Sequence, residues 1–246
     1  AELAETRWAG RAPRVLIAED HDINQMLVLE MASAIGLDPV IAEDGRRAIA
    51  LVQEAAASGQ PFELVLMDMQ MPHVDGIAAT RAIRALGFSA DTLPIVALTA
   101  NAYAEDMASC LEAGMQAHLA KPVGKGDLEK LAARFLARIA AQATPPVAPD
   151  DPPPPKGTKP VAERYRERRT QTLEAVAASV RGGALDGATV AELKSMLHRL
   201  AGTAGYFGDG ALGDVASGVE RDLIAAEASA WNEVLAKGWR ALQDAA

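Results

Sequence analysis

Five polar side chains follow short apolar segments of the sequence, and together they could bind a divalent cation and a phosphoryl group. Three are carboxylates, one is a hydroxyl and one is an ammonium: Glu19, Asp20, Asp68, Thr99 and Lys121. Carboxylate oxygens are ligands that Mg²⁺ prefers, and a hydroxyl and a lysine can engage phosphoryl oxygens. Each residue alone could be a helix cap or a solvated loop residue. Because all five residues lie at the ends of successive apolar segments, their pattern favours one shared site.

The apolar segments before these residues are rich in Val, Ile and Leu, which predicts strands buried on both faces. The predicted strands are 14–18, 39–42, 64–67, 95–98 and 118–120. Helical patterns follow them near 23–35, 45–57, 76–86, 103–113 and 127–140. This alternation is typical of a parallel, doubly wound α/β sheet of five strands, whose functional crevice lies beyond the carboxyl ends of the strands. We therefore expect the five polar residues to converge.

A proline-rich segment divides the chain. Residues 142–160 hold eight of the fourteen prolines, a composition that favours an extended, semi-rigid linker. No strand pattern follows, and four helical patterns at 162–180, 188–207, 212–228 and 231–242 predict a four-helix bundle. The predicted organisation is an N-terminal segment 1–12, an α/β domain 13–141, the linker 142–160 and a helical domain 161–246.

Composition excludes several classes of protein. The net charge is −9, with a balance of −7 over residues 1–141 and −2 over residues 160–246, so neither domain offers the basic surface that nucleic-acid binding needs. The single cysteine, Cys110, excludes a disulfide within the chain and a Cys-rich zinc site. We find no apolar stretch of ~20 residues and no signal-peptide pattern. We expect a cytoplasmic chain without membrane contacts of its own. The first residue is Ala rather than Met, which is compatible with a fragment of a longer, membrane-anchored protein.

The segments VLIAED, LVLMDMQMPHVDG, PIVALTA and HLAKP resemble the signatures of the two-component receiver domain over residues 13–141. The resemblance implies a flavodoxin-like fold with Asp68 as the phosphoacceptor. It also implies that Thr99 and Lys121 contact the phosphoryl group and that the Lys121–Pro122 peptide is cis. Mg²⁺ would be held by the carboxylates of Glu19, Asp20 and Asp68 and the main-chain carbonyl of Gln70. His118 departs from the pattern, because that switch position is commonly Tyr or Phe.

A histidine in the helical domain is the second candidate for chemistry. His198 lies roughly 130° from the middle of the apolar stripe of its predicted helix, so we expect it to be exposed. Gly202 and Gly205 share its predicted face and would allow another protein to approach closely. From the spacing alone, an incidental exposed histidine is equally compatible with the pattern.

The segment HRLAGTAGYFG resembles the histidine-containing phosphotransfer (HPt) motif. The resemblance implies that His198 is phosphorylated through Nε2. Ala201 stands where that motif usually has a lysine, and Lys194, one turn before His198, could supply the charge.

These patterns predict a phosphorelay module in which Asp68 is phosphorylated by a histidine kinase domain and exchanges the group with His198, which serves another receiver. The order of domains resembles the C-terminal end of a hybrid sensor histidine kinase. No Gly-rich ATP-binding segment is found, so we do not expect phosphorylation from ATP alone. Docking is expected at Ile23, Asn24, Leu27 and Pro122–Val123. The alternative is a response regulator whose helical domain is a protein-binding or dimerisation output, with His198 incidental.

Overall fold

The computed structural model describes residues 8, 11–99, 104–140, 160–183 and 185–246. The chain divides into two compact units, Ala1–Gly157 and Thr158–Ala246. The predicted linker, apart from Pro160, lies outside the described residues, as does most of the predicted N-terminal segment.

The first unit is built on a parallel sheet of five strands, as predicted. Its strands are β1 (Arg14–Ala18), β2 (Asp38–Ala42), β3 (Leu64–Asp68), β4 (Ile95–Thr99) and β5 (Ala117–Ala120). Their order across the sheet is β2-β1-β3-β4-β5, and every neighbouring pair is parallel. This is the flavodoxin-like order, in which the ligand crevice lies at the switch point between β1 and β3.

Helices cover both faces of the sheet. They are α1 (Asp22–Ala34), α2 (Gly45–Ala57), α3 (Gly76–Ala85), α4 (Ala104–Ala113) and α5 (Lys125–Ala140). Helix α1 contacts α5, whereas α2 contacts α3 and α3 contacts α4. All residues of β3 and β4 are buried, because both strands have neighbours on each side and helices above and below.

Local signals in the sequence account for several of the helix ends. The Asp44 and Asp75 carboxylates accept hydrogen bonds from main-chain N–H groups in the first turns of α2 and α3, both at 2.7 Å. Gly36, just after α1, and Gly114, just after α4, have φ values of +83° and +99°, which glycine adopts without steric cost.

The described part of the N-terminal segment packs against the first unit. The Trp8 indole is buried, and its Nε1–H donates to the Ile35 carbonyl oxygen at 2.9 Å. The Arg11 guanidinium donates to both carboxylate oxygens of Glu63, at 2.7 and 2.8 Å. Residues ahead of the first strand therefore contribute to this unit.

The second unit contains α6 (Val161–Gly182), α7 (Gly187–Ala204), α8 (Gly210–Ala225) and α9 (Trp231–Ala245). Each helix contacts the next, and α9 contacts α6. Tyr165 of α6 stacks on Phe207 in the turn after α7, with ring centroids 4.3 Å apart, and its hydroxyl donates to Asp209 Oδ2 at 2.6 Å. Among the described residues of the chain, no helix combines the length and apolar character needed to cross a membrane.

Candidate functional site

Asp68 lies at the centre of the first site, as the last residue of the central strand β3. Asp68 is 1% exposed. The Lys121 ammonium, which follows β5, lies 2.7 Å from Asp68 Oδ2 and 2.7 Å from Glu19 Oε2. The side chain of Lys121 is 4% exposed. The sheet thus brings together three residues that are far apart in the sequence, at the carboxyl ends of β1, β3 and β5.

Asp20 completes a cluster of three carboxylates. Glu19, Asp20 and Asp68 each offer a carboxylate oxygen, and these oxygens lie within 4.8 Å of one another. Like charges at this separation repel, and a divalent cation that binds oxygen would relieve the repulsion. The donor set and its spacing therefore fit Mg²⁺.

Burial and neighbouring charges act against each other in this cluster. Burial raises the pKa of Glu19, the Lys121 ammonium opposes that rise, and the Asp68 charge adds to it. Burial would lower the pKa of Lys121, but the charges of Asp68 and Glu19 outweigh burial, and the pKa of Lys121 is raised. Lys121 is therefore a permanent cation within hydrogen-bonding distance of Asp68.

Thr99 is the last residue of β4 and is buried. Within the described part of the chain, its Oγ1 has no hydrogen-bond partner. A buried hydroxyl normally has a partner, so this atom is well suited to a ligand group. Thr99 thus lies where the sequence predicts, at a strand end.

The loop after β3 holds the remaining predicted ligand. The Gln70 main-chain N–H lies 3.3 Å from Asp68 Oδ1, and coordination of a cation by its carbonyl stays a prediction. Farther along the loop, His73 has a φ of +65°, and Val74 N–H donates to the Pro72 carbonyl at 2.7 Å. The Lys121–Pro122 peptide is cis, which confirms the prediction.

Sequence reasoning missed the role of Asn24 and was wrong about its exposure. Asn24 was expected on a docking surface with Ile23 and Val123, but all three are buried. The Asn24 Nδ2–H donates to Glu19 Oε1 at 2.8 Å. The only sequence signal was the position of Asn24, which lies one helical turn after the acidic pair.

His198 in α7 is buried, contrary to the prediction that it faces solvent. The residue is 7% exposed, and its Nδ1 lies 3.2 Å from Oε2 of Glu220, a buried residue of α8. The apolar stripe alone did not predict this burial, because α7 packs against both α6 and α8 and buries a wider part of its surface. Gly202 is buried too, so it does not provide the open surface that was expected, whereas Gly205 is exposed.

The His198–Glu220 pair has a definite chemical consequence. An ionised carboxylate can only accept a hydrogen bond, so with Glu220 ionised Nδ1 carries the proton in this contact. A neutral imidazole protonated at Nδ1 has its lone pair on Nε2. In that arrangement Glu220 orients the imidazole so that Nε2 is the ring nitrogen with the lone pair.

Comparison with known proteins finds one matching family, described as the response regulator receiver domain, over residues 15–133. The sensor protein GacS of Pseudomonas syringae pv. syringae is 41% identical over 129 residues, which are 52% of this chain and 14% of GacS. The osmosensing histidine protein kinase SLN1 of Saccharomyces cerevisiae is 37% identical over 50% of this chain and 10% of SLN1. The chain thus spans only a small part of either protein.

Smaller relatives are matched along nearly their whole length. The two-component response regulator ORR41 of Oryza sativa subsp. japonica is 40% identical over 50% of this chain and 93% of ORR41. Among solved structures, the receiver domain of the sensor histidine kinase PA1611 from Pseudomonas aeruginosa PAO1, with a magnesium ion in its active site cleft, is 35% identical, with a TM-score of 0.45. That match covers 51% of this chain and 98% of the PA1611 domain.

Proposed function

Since this chain belongs to the response regulator receiver domain family, we propose that it is a phosphorelay module in which Asp68 exchanges a phosphoryl group with His198. The observation that supports this most directly is the contact of the Lys121 ammonium with the buried Asp68 carboxylate at 2.7 Å. A lysine held this way orients the nucleophile and stays close enough to engage a phosphoryl oxygen.

The cation site of this proposal consists of Glu19, Asp20 and Asp68, with the Gln70 carbonyl as a further ligand. When bound there, Mg²⁺ would neutralise charge on the phosphoryl oxygens and on the carboxylates. Thr99 Oγ1–H would donate to a second phosphoryl oxygen. Lys121 would compensate the charge that the phosphoryl group adds to a buried pocket.

The proposed steps move one phosphoryl group between two nucleophiles. A carboxylate oxygen of Asp68 attacks the phosphorus of a phosphohistidine in a kinase domain, forming a P–O bond as the P–N bond breaks. Nε2 of His198 then attacks that phosphorus, and the Asp68 carboxylate leaves with the electron pair of the P–O bond. Glu220 keeps the proton on Nδ1 of His198, so Nε2 can attack without losing a proton first.

The wider setting is also a proposal. The partners would be a histidine kinase domain and other receiver or phosphotransfer proteins, because Asp68 needs a phosphoryl donor and His198 needs a second receiver. GacS and SLN1 are named as a sensor protein and an osmosensing histidine kinase, and each matches about half of this chain over a short part of its own length. We propose that this chain is the cytoplasmic C-terminal part of such a hybrid kinase, with the helical unit as its HPt domain.

The first half of the proposal is tested by labelling the full chain with acetyl phosphate. We expect Asp68 to be labelled only with Mg²⁺ present, and Asp68→Asn to abolish the label. Asp75→Asn is the matched control, because Asp75 is an exposed helix cap outside the cluster and Asn caps helices equally well. Undiminished labelling of the Asp68→Asn protein would refute the assignment.

One observation favours the alternative function, a helical output domain with His198 incidental. His198 and Glu220 are both buried, as expected of a polar pair that stabilises helix packing. The Asp68→Asn chain, incubated with a separate phosphorylated receiver, distinguishes the two. Phosphohistidine at position 198 that is lost in His198→Gln supports the relay; its absence with a competent donor supports the output domain.

A further inference from the structure

Asn24 is an uncharged side chain that contacts the Glu19 carboxylate. It lies in the first turn of α1 and is 3% exposed. Its Nδ2–H donates to Glu19 Oε1 at 2.8 Å, while Lys121 Nζ lies 2.7 Å from Glu19 Oε2. One carboxylate oxygen therefore accepts a hydrogen bond and the other pairs with an ammonium, and together these contacts restrict the orientation of the carboxylate plane.

The main chain of Glu19 is held from the same helical turn. Gln25 Nε2–H donates to the Glu19 carbonyl oxygen at 2.6 Å, and the His21 main-chain N–H lies 3.4 Å from Glu19 Oε1. These contacts leave Glu19 little freedom to rotate toward or away from Asp20 and Asp68. Asn24 differs from the main-chain donor of His21 because its contact is shorter, at 2.8 Å, and because a substitution can remove it.

Simple burial does not explain an asparagine at this position. Within the described residues, Asn24 Oδ1 has no hydrogen-bond partner. A buried amide with one end unsatisfied is less favourable than an apolar side chain of similar volume, so burial alone does not account for asparagine here. The unsatisfied Oδ1 is an acceptor next to the carboxylate cluster, where a water of a hydrated cation would be a suitable donor.

The preferences of divalent cations suggest that use. Mg²⁺ demands near-ideal octahedral geometry with short metal–oxygen distances, whereas Ca²⁺ accepts irregular coordination and longer distances. A carboxylate held in one orientation favours Mg²⁺, and a carboxylate that is free to rotate favours Ca²⁺. Groups that hold ligands in this way commonly tune metal affinity.

We propose that Asn24 is a positioning residue of the cation site: its N–H group fixes the Glu19 carboxylate and thereby sets the preference for Mg²⁺ over Ca²⁺. This inference rests on the proposed cation site at Glu19, Asp20 and Asp68. It assigns to α1 a part in cation selection, distinct from its role in covering the sheet.

The test is a titration of the full chain with Mg²⁺ and, separately, with Ca²⁺, followed by the NMR shifts of backbone amides 19–22 and 68–70. We expect Asn24→Leu, which keeps the volume but removes the donor, to weaken Mg²⁺ binding about tenfold. Ca²⁺ binding should weaken by a clearly smaller factor, so the Mg²⁺ to Ca²⁺ affinity ratio falls. Asn24→Ala should lower the ratio in the same way and replaces Asn24→Leu if that variant does not fold.

Val28→Ala is the control for a merely structural role. Val28 is buried one turn farther along α1, so the variant loosens the same helix without touching Glu19. It should leave the affinity ratio unchanged. An unchanged ratio in both Asn24 variants, or an equal loss for both ions, would overturn the inference. The wild-type chain distinguishes failure of this inference from failure of the proposed cation site. If the wild type does not bind Mg²⁺, the cation site itself is refuted.

Discussion

The Lys121 ammonium compensates the charge of two buried carboxylates. Its Nζ lies 2.7 Å from both Glu19 and Asp68, and all three side chains are almost fully buried. Removing one partner from a buried ion pair is costly, because the remaining charge is left without compensation. Lys121 therefore has a structural role in addition to its proposed contact with the phosphoryl group.

Lys121→Met should make folding depend on Mg²⁺. Without the cation, we expect a loss of about 3 kcal/mol in the free energy of unfolding, because Glu19 and Asp68 repel each other. Mg²⁺ should restore more stability in this variant than it adds to the wild type, since it replaces the missing positive charge. Urea denaturation in EDTA and in MgCl₂ measures both effects.

Lys130→Met is the control for that experiment. Lys130 is highly exposed and pairs with Asp127 at 3.3 Å in its own helix, so the change in stability should stay within about 0.5 kcal/mol. If Lys121→Met were as stable as Lys130→Met in EDTA, the two carboxylates would not carry the charge that we assign to them.

His73, in the loop after Asp68, is the described non-glycine residue with a positive φ, +65°. Such a backbone costs of order 1–3 kcal/mol for a residue with a β-carbon. We expect His73→Gly to raise the free energy of unfolding by about 1 kcal/mol, because relief of strain exceeds the extra entropy of the unfolded chain. His73→Ala keeps the β-carbon and should bring no such gain. Equal stability of the two variants in urea denaturation would show that any change in the free energy of unfolding comes from loss of the imidazole and not from relief of backbone strain.

At the scale of elements, the sequence predicts the first unit well because its signals are local. Buried strands are recognisable as short apolar runs, and their parallel pairing follows from the alternation with helices, whereas the flavodoxin-like strand order was implied by the resemblance to the receiver domain. Asp68 and Thr99 were predicted just after their strands and are the last residues of them. This difference of one position does not move either side chain away from the crevice. The crevice lies beyond the carboxyl ends of the strands in any sheet of this topology.

Contacts between elements were harder to predict. The partner of His198 is Glu220, which lies 22 residues away on α8, and no periodicity within α7 can show that contact. The buried arc of α7 also includes Gly202 and Thr203, which an apolar stripe does not count. The same limit applies to Asn24, whose burial depends on how the first turn of α1 meets Glu19.

The Glu220 contact leads to a prediction about helix packing and reactivity. Glu220→Gln can still accept from Nδ1–H through its amide oxygen, so stability should change little. Glu220→Leu leaves a buried donor on His198 unsatisfied and should cost about 1–3 kcal/mol of unfolding free energy. It should also slow phosphoryl uptake by His198, because Nε2 is no longer fixed as the unprotonated nitrogen. Urea denaturation and transfer from a phosphorylated receiver measure the two effects, and identical behaviour of both variants would contradict the assigned role of Glu220.

At the scale of the whole molecule, the two candidate sites belong to separate compact units. Asp68 lies in the unit Ala1–Gly157 and His198 in the unit Thr158–Ala246. The proline-rich segment 142–160 lies, apart from Pro160, outside the described residues, so its conformation stays a prediction. Its composition favours an extended connector with a polyproline II rise of ~3.1 Å per residue, which gives residues 144–160 a reach of roughly 53 Å.

A connector of this kind permits exchange within one chain but does not enforce it. We therefore predict that Asp68-to-His198 transfer has a substantial component between chains, which rises with protein concentration. Mixing His198→Gln protein, phosphorylated at Asp68, with Asp68→Asn protein isolates that component, because only transfer between chains can label His198. Adding the double variant in place of the Asp68→Asn protein gives the background. If the mixture shows no transfer while the intact chain exchanges rapidly at every dilution, the connector must direct the two sites toward each other within one chain.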